Sequence, residues 1–180
     1  MFYILHSGVV KYMRRIILVL LSTLFLVFFS GCAQQEQKAE DIDFSFQCKA
    51  DITFDGQKTT CVFSHSAPGI ASVQLLSGDL SGLTYFWSGE DFTISYSGLT
   101  AKSDECVIPK TSFASVLQQT VDCAQKSGSL TKTHGSEFSG SVDGFDFIIA
   151  VDENSGQIQK INVPKYNMVA HFYDYSELGL

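Results

Sequence analysis

Apolar and polar side chains alternate without interruption between Phe44 and Asp55. The apolar members of this stretch are Phe44, Phe46, Cys48, Ala50, Ile52 and Phe54. A period of two predicts a long β-strand with one buried face. Asp55-Gly56 then predicts a tight turn, and Thr59 to His65 returns as a second strand with Cys61 and Phe63 on the same inner face.

The same alternation, interrupted by turns that contain glycine, recurs along the rest of the chain. It predicts further strands at Ile70–Leu76, Leu83–Trp87, Phe92–Tyr96, Phe138–Val142, Phe145–Val151, Ile158–Val163 and Met168–Tyr173. Strands and helices do not alternate along the chain, so we expect an antiparallel sheet.

One segment has the period of an amphipathic helix. The residues that recur on one side at spacings of three and four are Phe113, Val116, Leu117, Thr120, Val121 and Ala124. Thr111 or Ser112 is available as the N-cap, and Ser127-Gly128 as a stop. The sequence thus predicts an α+β fold, with a curved antiparallel sheet or incomplete β-barrel of about nine strands and one main helix on the concave face.

The N-terminal segment has the organisation of an export signal. Arg14 and Arg15 precede an apolar block, Ile16–Phe29, that is short for a helix spanning a membrane. Met13 lies directly before the arginine pair and is a candidate for the true start. We expect a lipoprotein signal peptide over residues 1–31. The alternative is an uncleaved signal anchor.

The residues that follow the apolar block, Phe29-Ser30-Gly31-Cys32, resemble a bacterial lipobox. The resemblance implies cleavage between Gly31 and Cys32 and a diacylglyceryl group on Cys32. With a further acyl chain on its new N-terminus, such a cysteine stably anchors a protein. We therefore expect a protein held at the extracytoplasmic face of the cell membrane by its lipid.

The remaining chain divides into a tether and one domain. Residues 32–43 are polar and have no apolar stripe, which predicts a tether, and residues 44–180 are expected to form a single domain. Loss of residues 1–31 removes three of the 12 basic residues and no acid, so the net charge falls from −7 to −10. A chain this acidic, without a basic patch, is a poor candidate for binding nucleic acid.

The domain has no recognisable catalytic or metal-binding motif. Its histidines, His65, His134 and His171, are expected on the surface or at strand ends rather than as general bases. Cys61 and His65 would lie about 13 Å apart on one strand, which is too far to share a zinc ion. We expect no enzymatic activity, no metal and no cofactor.

Four cysteines, Cys48, Cys61, Cys106 and Cys123, remain after Cys32, and an even number permits two disulfides in an exported protein. If Phe54 pairs with Thr59, Cys61 lies opposite Ile52 and beyond disulfide reach of Cys48. Buried free thiols at Cys48 and Cys61, and a link from Cys123 to Cys48 or Cys106, both remain open.

Aromatic residues form rows on the inner faces of several predicted strands. One interpretation is a closed core. The other is an apolar cavity, because one helix covers only part of a nine-stranded sheet. The candidate lining residues are Phe46, Trp87, Phe92, Phe113, Val116, Leu117 and Phe147.

The order of these features, from lipobox and tether to the helix after Pro109 and the later hairpins, resembles the lipoprotein-carrier superfamily that includes LolA, LppX-type lipoproteins and GerS. The resemblance covers Phe44 to Tyr175. It implies an incomplete barrel that holds acyl chains in some members and binds proteins in others. Two hypotheses follow: a non-catalytic lipoprotein that binds a hydrophobic or lipid-like ligand, or a protein-interaction lipoprotein of the cell envelope with a self-filled core.

We predict that Cys32→Ala abolishes lipid labelling and releases the protein from membranes, because the substitution removes the acceptor of the anchor. Metabolic labelling with a fatty acid and membrane fractionation measure both effects. Membrane attachment that persists without labelling would instead establish the uncleaved signal anchor.

Overall fold

The computed structural model describes residues 38–178. The expected signal peptide, its cleavage point at Gly31 and Cys32, and most of the expected tether lie outside the described residues. Those expectations stay predictions.

The described part of the chain forms one antiparallel sheet of eleven strands. They are β1 (Phe46–Phe54), β2 (Gln57–Ala67), β3 (Ile70–Leu75), β4 (Thr84–Ser88), β5 (Phe92–Tyr96), β6 (Leu99–Ser103), β7 (Thr131–Lys132), β8 (Glu137–Val142), β9 (Phe145–Val151), β10 (Ile158–Val163) and β11 (Met168–Ser176). Their order in the sheet is β6-β5-β4-β3-β2-β1-β11-β10-β9-β8-β7. The curved sheet is not closed, since β6 and β7 are its two edges.

One α-helix, α1 (Phe113–Ala124), lies between β6 and β7 in the chain. Two short 3-10 turns, Ala39–Asp41 and Pro164–Tyr166, complete the regular structure of the described residues. The predicted α+β class, the antiparallel sheet and the single main helix are confirmed.

The sequence predicts about nine strands, and the sheet has eleven. The two additional strands, β6 and β7, have almost no alternation of apolar and polar side chains from which they could be predicted. In β6, four of the five side chains are exposed, so apolar and polar positions do not separate into two faces. β7 has only two residues, Thr131 and Lys132. Strand β6 is formed by backbone hydrogen bonds to β5, and β7 by backbone hydrogen bonds to β8. Backbone pairing does not require alternating apolar side chains, so neither strand can be recognised from a hydrophobic period in the sequence.

The turn between β1 and β2 has fewer residues than the pairing of Phe54 with Thr59 would require. Asp55 and Gly56 adopt φ values of 46° and 80°, the left-handed conformation that allows a two-residue hairpin turn. Phe54 consequently pairs with Gln57. The predicted register was therefore wrong by two residues.

This register places Cys61 opposite Ala50, and Cys48 opposite Phe63. The two cysteines are thus diagonal neighbours on the inner face rather than distant ones. All four cysteines within the described residues have free thiols, and Cys106 is the exposed one.

The start of α1 follows the predicted capping chemistry. The Ser112 hydroxyl accepts a hydrogen bond from the Ser115 amide at 3.3 Å, which satisfies one of the free donors of the first turn. The helix packs its apolar side against β2 and β8. Its buried side chains join those of the inner sheet face in one continuous core.

We predict that Phe46→Asp lowers the free energy of unfolding by about 3 kcal/mol or more, because it buries an unpaired charge. Phe46 is 3% exposed and its ring contacts those of Phe63 and Phe172. The matched control is Gln47→Asp on the outer face, for which we expect a loss of about 1 kcal/mol or less. Urea denaturation measures both, and equal losses would contradict the assigned faces of β1.

Candidate functional site

The helix packs against β2 and β8, and part of the inner face of strands β4 to β6 is left uncovered, although Trp87 and Phe92 on that face are buried. Paired residues of neighbouring strands share a face, and Tyr85 pairs with both Val73 and Ile94, while Ile94 also pairs with Ala101. We call the uncovered part the open inner face; it consists of Tyr85, Ile94, Tyr96, Leu99 and Ala101. Three of these side chains are half-buried, Ala101 is exposed, and Leu99 is 75% exposed.

The open inner face is aromatic and uncharged. The Tyr85 ring lies nearly parallel to that of Phe92, with 6.3 Å between centroids, and Phe92 in turn contacts Trp87 at 5.1 Å. Burial raises the pKa of the Tyr85 hydroxyl, so this group stays neutral at neutral pH. The charged Lys102 belongs to the opposite face, where its Nζ lies 2.6 Å from an Asp91 carboxylate oxygen.

The loop between β3 and β4 extends this apolar surface. The Tyr96 hydroxyl donates a hydrogen bond to the Asp79 carbonyl oxygen at 3.1 Å, which holds the loop beside the end of β5. Leu80, on the same loop, is 50% exposed, whereas Leu76 lies opposite Thr60 on the outer face of the sheet. An exposed leucine on a loop fixed next to a half-buried aromatic residue adds to the apolar surface available for contact.

The structure places six of the seven candidate lining residues in the core. Phe46, Trp87, Phe92, Val116, Leu117 and Phe147 are buried, and Phe113 is partly buried against Phe54 with 6.4 Å between ring centroids. Val116, Leu117 and Phe147 have no exposure at all. A side chain that no water-sized sphere can touch borders no space large enough for a ligand atom, so this part of the core is filled.

The candidate lining residues do not form one site but lie at separate places along the sheet. Trp87 and Phe92 pair across β4 and β5 and border the open inner face. Phe46 instead lies at the start of β1, where it lines a groove of about 420 Å³ together with Tyr175. A second groove, of about 600 Å³, lies on the other side of the sheet between Asp51, Thr60 and His171. That groove is polar and solvent-exposed.

His65 and Asp122 form a buried pair that the sequence patterns did not indicate. His65, expected on the surface or at a strand end, lies near the end of β2 but is completely buried; its Nε2 lies 2.9 Å from Asp122 Oδ1 and its Nδ1 bonds the Phe44 carbonyl oxygen. Both ring nitrogens are therefore hydrogen-bonded, one to a carboxyl oxygen and one to a carbonyl oxygen. The other Asp122 oxygen accepts from the Gly69 amide and the Gln118 side chain.

This pair connects three parts of the molecule. Asp122 belongs to α1, His65 to β2, and Phe44 to the segment before β1. Every polar atom of the two side chains has a partner, and His65 has no access to solvent. The arrangement therefore fixes the helix on the sheet and has no free nitrogen for use as a general base.

The buried thiols are also poorly suited to nucleophilic chemistry. Burial raises the pKa of Cys48 and that of Cys61 to about 12, so both stay protonated at neutral pH. Within residues 38–178, no group of three or more His, Cys, Asp or Glu side chains is arranged to hold a metal ion. In the same residues no helix is long and apolar enough to span a membrane.

Comparisons with known proteins find similarity among solved structures. No protein-family model matches the chain, and no curated protein matches it. Among solved structures, the chain is similar to a LolA superfamily protein, NE2245, from Nitrosomonas europaea. The two share 10% sequence identity at a TM-score of 0.40, over 82% of this chain and 91% of the other.

We predict that Asp122→Ala destabilises the domain by about 3 kcal/mol, since it leaves the buried His65 Nε2, the Gly69 amide and the Gln118 side chain without their shared partner. Thermal or urea unfolding measures the loss. Asp146→Ala, which removes an exposed carboxylate from β9, is the control and should change stability by about 0.5 kcal/mol or less. A loss no larger than that of the control would show that the pair does not hold α1 on the sheet.

Proposed function

We propose that this protein is a membrane-anchored extracytoplasmic lipoprotein that binds a hydrophobic or lipid-like ligand without catalysing a reaction. The open inner face is the observation that carries this proposal. It presents uncharged, largely apolar side chains directly beside a well-packed core. An apolar surface in contact with water gains about 25 cal/mol for each Å² that a ligand covers.

The proposed ligand lies along β4 and β5. Tyr85, Ile94 and Tyr96 would contact its apolar chain, with Trp87 and Phe92 as the adjoining wall of the site. The deeper candidates are Val116 and Leu117 on α1 and Phe147 on the sheet. A ligand would reach them only if the helix moved away from the sheet, because all three are completely buried. Phe46 and Phe113 would line the two ends of such an enlarged cavity.

The polar groups buried within residues 38–178 favour a binding function over an enzymatic one, because none of them is free to act as a base or a nucleophile. The buried imidazole of His65 has both nitrogens occupied, and the thiols of Cys48 and Cys61 stay protonated. The proposed lipid on Cys32 would hold the domain, and with it the open inner face, at the membrane surface.

The alternative function is that of a protein-interaction lipoprotein of the cell envelope with a self-filled core. The edge strand β6 favours it. Its outer backbone groups pair with no other strand among the described residues, and its side chains are mostly exposed. A protein partner could add a strand to such an edge.

We predict that a fluorescent fatty-acid probe binds the purified domain and that Leu99→Glu or Ile94→Glu weakens this binding at least about tenfold, a cost of 1.4 kcal/mol. A charge on the open inner face would have to be desolvated by the ligand. Thr93→Glu, next to Ile94 but on the opposite face, should bind as wild type does. Fluorescence titration gives the dissociation constants.

Leu99 is already exposed, so Leu99→Glu keeps the test valid if Ile94→Glu does not fold. Native mass spectrometry of the wild-type domain tests directly for a lipid that copurifies. A domain that contains no lipid and does not bind the probe would refute the ligand hypothesis. Binding that is unchanged in both variants would place the ligand elsewhere.

A further inference from the structure

The strands of the sheet end on two opposite sides, which carry different connections. We call one side the proximal end; it holds the start of β1 and the connections at residues 68–69, 89–91 and 152–157. The distal end holds the turns at 55–56, 97–98 and 143–144 and the β3–β4 loop at 76–83. Strand β1 has nine residues, so the two ends are about 30 Å apart at 3.3 Å per residue.

The segment Lys38–Ser45, called the docked segment below, is attached to the proximal end. Ile42 and Phe44 are buried in the core. The Asp43 amide donates a hydrogen bond to the Gly156 carbonyl oxygen at 3.0 Å. The end of the expected tether is therefore part of the folded domain, although it has no periodic apolar stripe.

Gly156 makes this docking possible through its missing side chain. A Cβ at this position would lie 2.3 Å from the Asp41 carbonyl oxygen, closer than any non-bonded contact allows. The residue also has a φ of +72°. Any side chain here would push the docked segment away from the loop between β9 and β10.

Only six residues separate Cys32 from Ala39, where the docked segment forms its first turn. A fully extended chain spans at most about 3.6 Å per residue, so this connection reaches about 25 Å. The length is less than the distance between the two ends of the sheet. A lipid on Cys32 could not be connected to the docked segment with the distal end turned to the bilayer.

We propose that the docked segment sets the orientation of the domain on the membrane, with the proximal end facing the bilayer and the distal end facing away. The inference rests on the proposed lipid anchor at Cys32. It places exposed Leu76, Leu80 and Leu99, at the distal end, on the side remote from the lipid surface. The open inner face then receives its ligand or partner from that side rather than from the anchoring bilayer.

The charge distribution opposes insertion of the proximal end into the bilayer, so the proposed orientation is set by the short connection to Cys32 and not by charge. The proximal end carries the carboxylates of Glu40, Asp41, Asp43, Glu90, Asp91, Asp152, Glu153 and Glu177, against the ammonium group of Lys38. Anionic headgroups repel an acidic end over a Debye length of about 10 Å at 0.1 M salt. The distal connections carry Asp55, Asp79 and Asp143, against Lys165, so the proximal end is the more acidic of the two.

The single tryptophan, Trp87, allows a direct test because it lies in β4 close to the proximal turn at 89–91. The mature lipoprotein is reconstituted in vesicles of phosphatidylcholine and phosphatidylglycerol that contain a dansyl-labelled phosphatidylethanolamine. Energy transfer from Trp87 to dansyl reports the proximity of the proximal end. A second protein, with Trp87→Phe and Leu80→Trp, moves the donor to the distal end.

Transfer is expected to be higher from Trp87 than from the distal tryptophan. In the Gly156→Ala background this difference should be lost, because the docked segment is displaced. Gly144→Ala is the matched control: Gly144 has a φ of +79° and nothing within 4 Å of an added Cβ, so it introduces the same backbone strain without displacing the segment. The difference should persist there.

Two results would overturn the proposal, and they are distinguishable. Equal transfer from both positions, in protein shown by mass spectrometry to carry lipid on Cys32, refutes the orientation and leaves the anchor intact. Absence of lipid on Cys32 refutes the proposed anchor and the orientation with it. A difference that survives Gly156→Ala refutes the role of the docked segment.

Discussion

Within residues 38–178, one α-helix covers the apolar face of an eleven-stranded sheet, and most of this architecture follows from that mismatch in size. A 12-residue helix is about 18 Å long and 10 Å across, whereas eleven strands spaced about 4.8 Å apart extend over about 50 Å. Curvature of the sheet brings the inner rows of β1, β2 and β8 to β11 against α1 and one another. The rows of β4 to β6 lie beyond its reach and remain partly in contact with water.

The position of the helix therefore decides which part of the sheet is open. The hydrophobic effect alone is not directional, so it specifies the position of an apolar helix face on an apolar sheet less sharply than a hydrogen bond does. The bond between His65 and Asp122 adds direction, since it joins one point on α1 to one point on β2. The Phe44 carbonyl oxygen on the other ring nitrogen extends the same connection to the docked segment. One imidazole ring thus contributes both to the placement of the helix and to the attachment of the N-terminal segment.

Alternation and helical period were sufficient to predict the fold class, the single helix and most strands, because burial on one face leaves a repeating signal. They could not predict β6, whose pairing involves backbone atoms and whose side chains are exposed. They also could not locate the His65–Asp122 pair, since Asp122 lies among polar residues on the helix and its partner is 57 residues away in the chain. The extent of the open inner face depends on where the helix lies, which no local pattern specifies.

The free thiols of β1 and β2 have a consequence for how the protein matures. In the oxidising compartment that the proposed export implies, Cys48 and Cys61 are protected only once they are buried. The complete sheet around them requires β1 to pair with β11, the last strand of the chain, and contacts between distant segments form slowly. Folding therefore competes with oxidation. We expect newly exported chains that fold slowly to accumulate mispaired disulfides, so that the yield of native protein depends on the rate of sheet assembly as well as on its final stability.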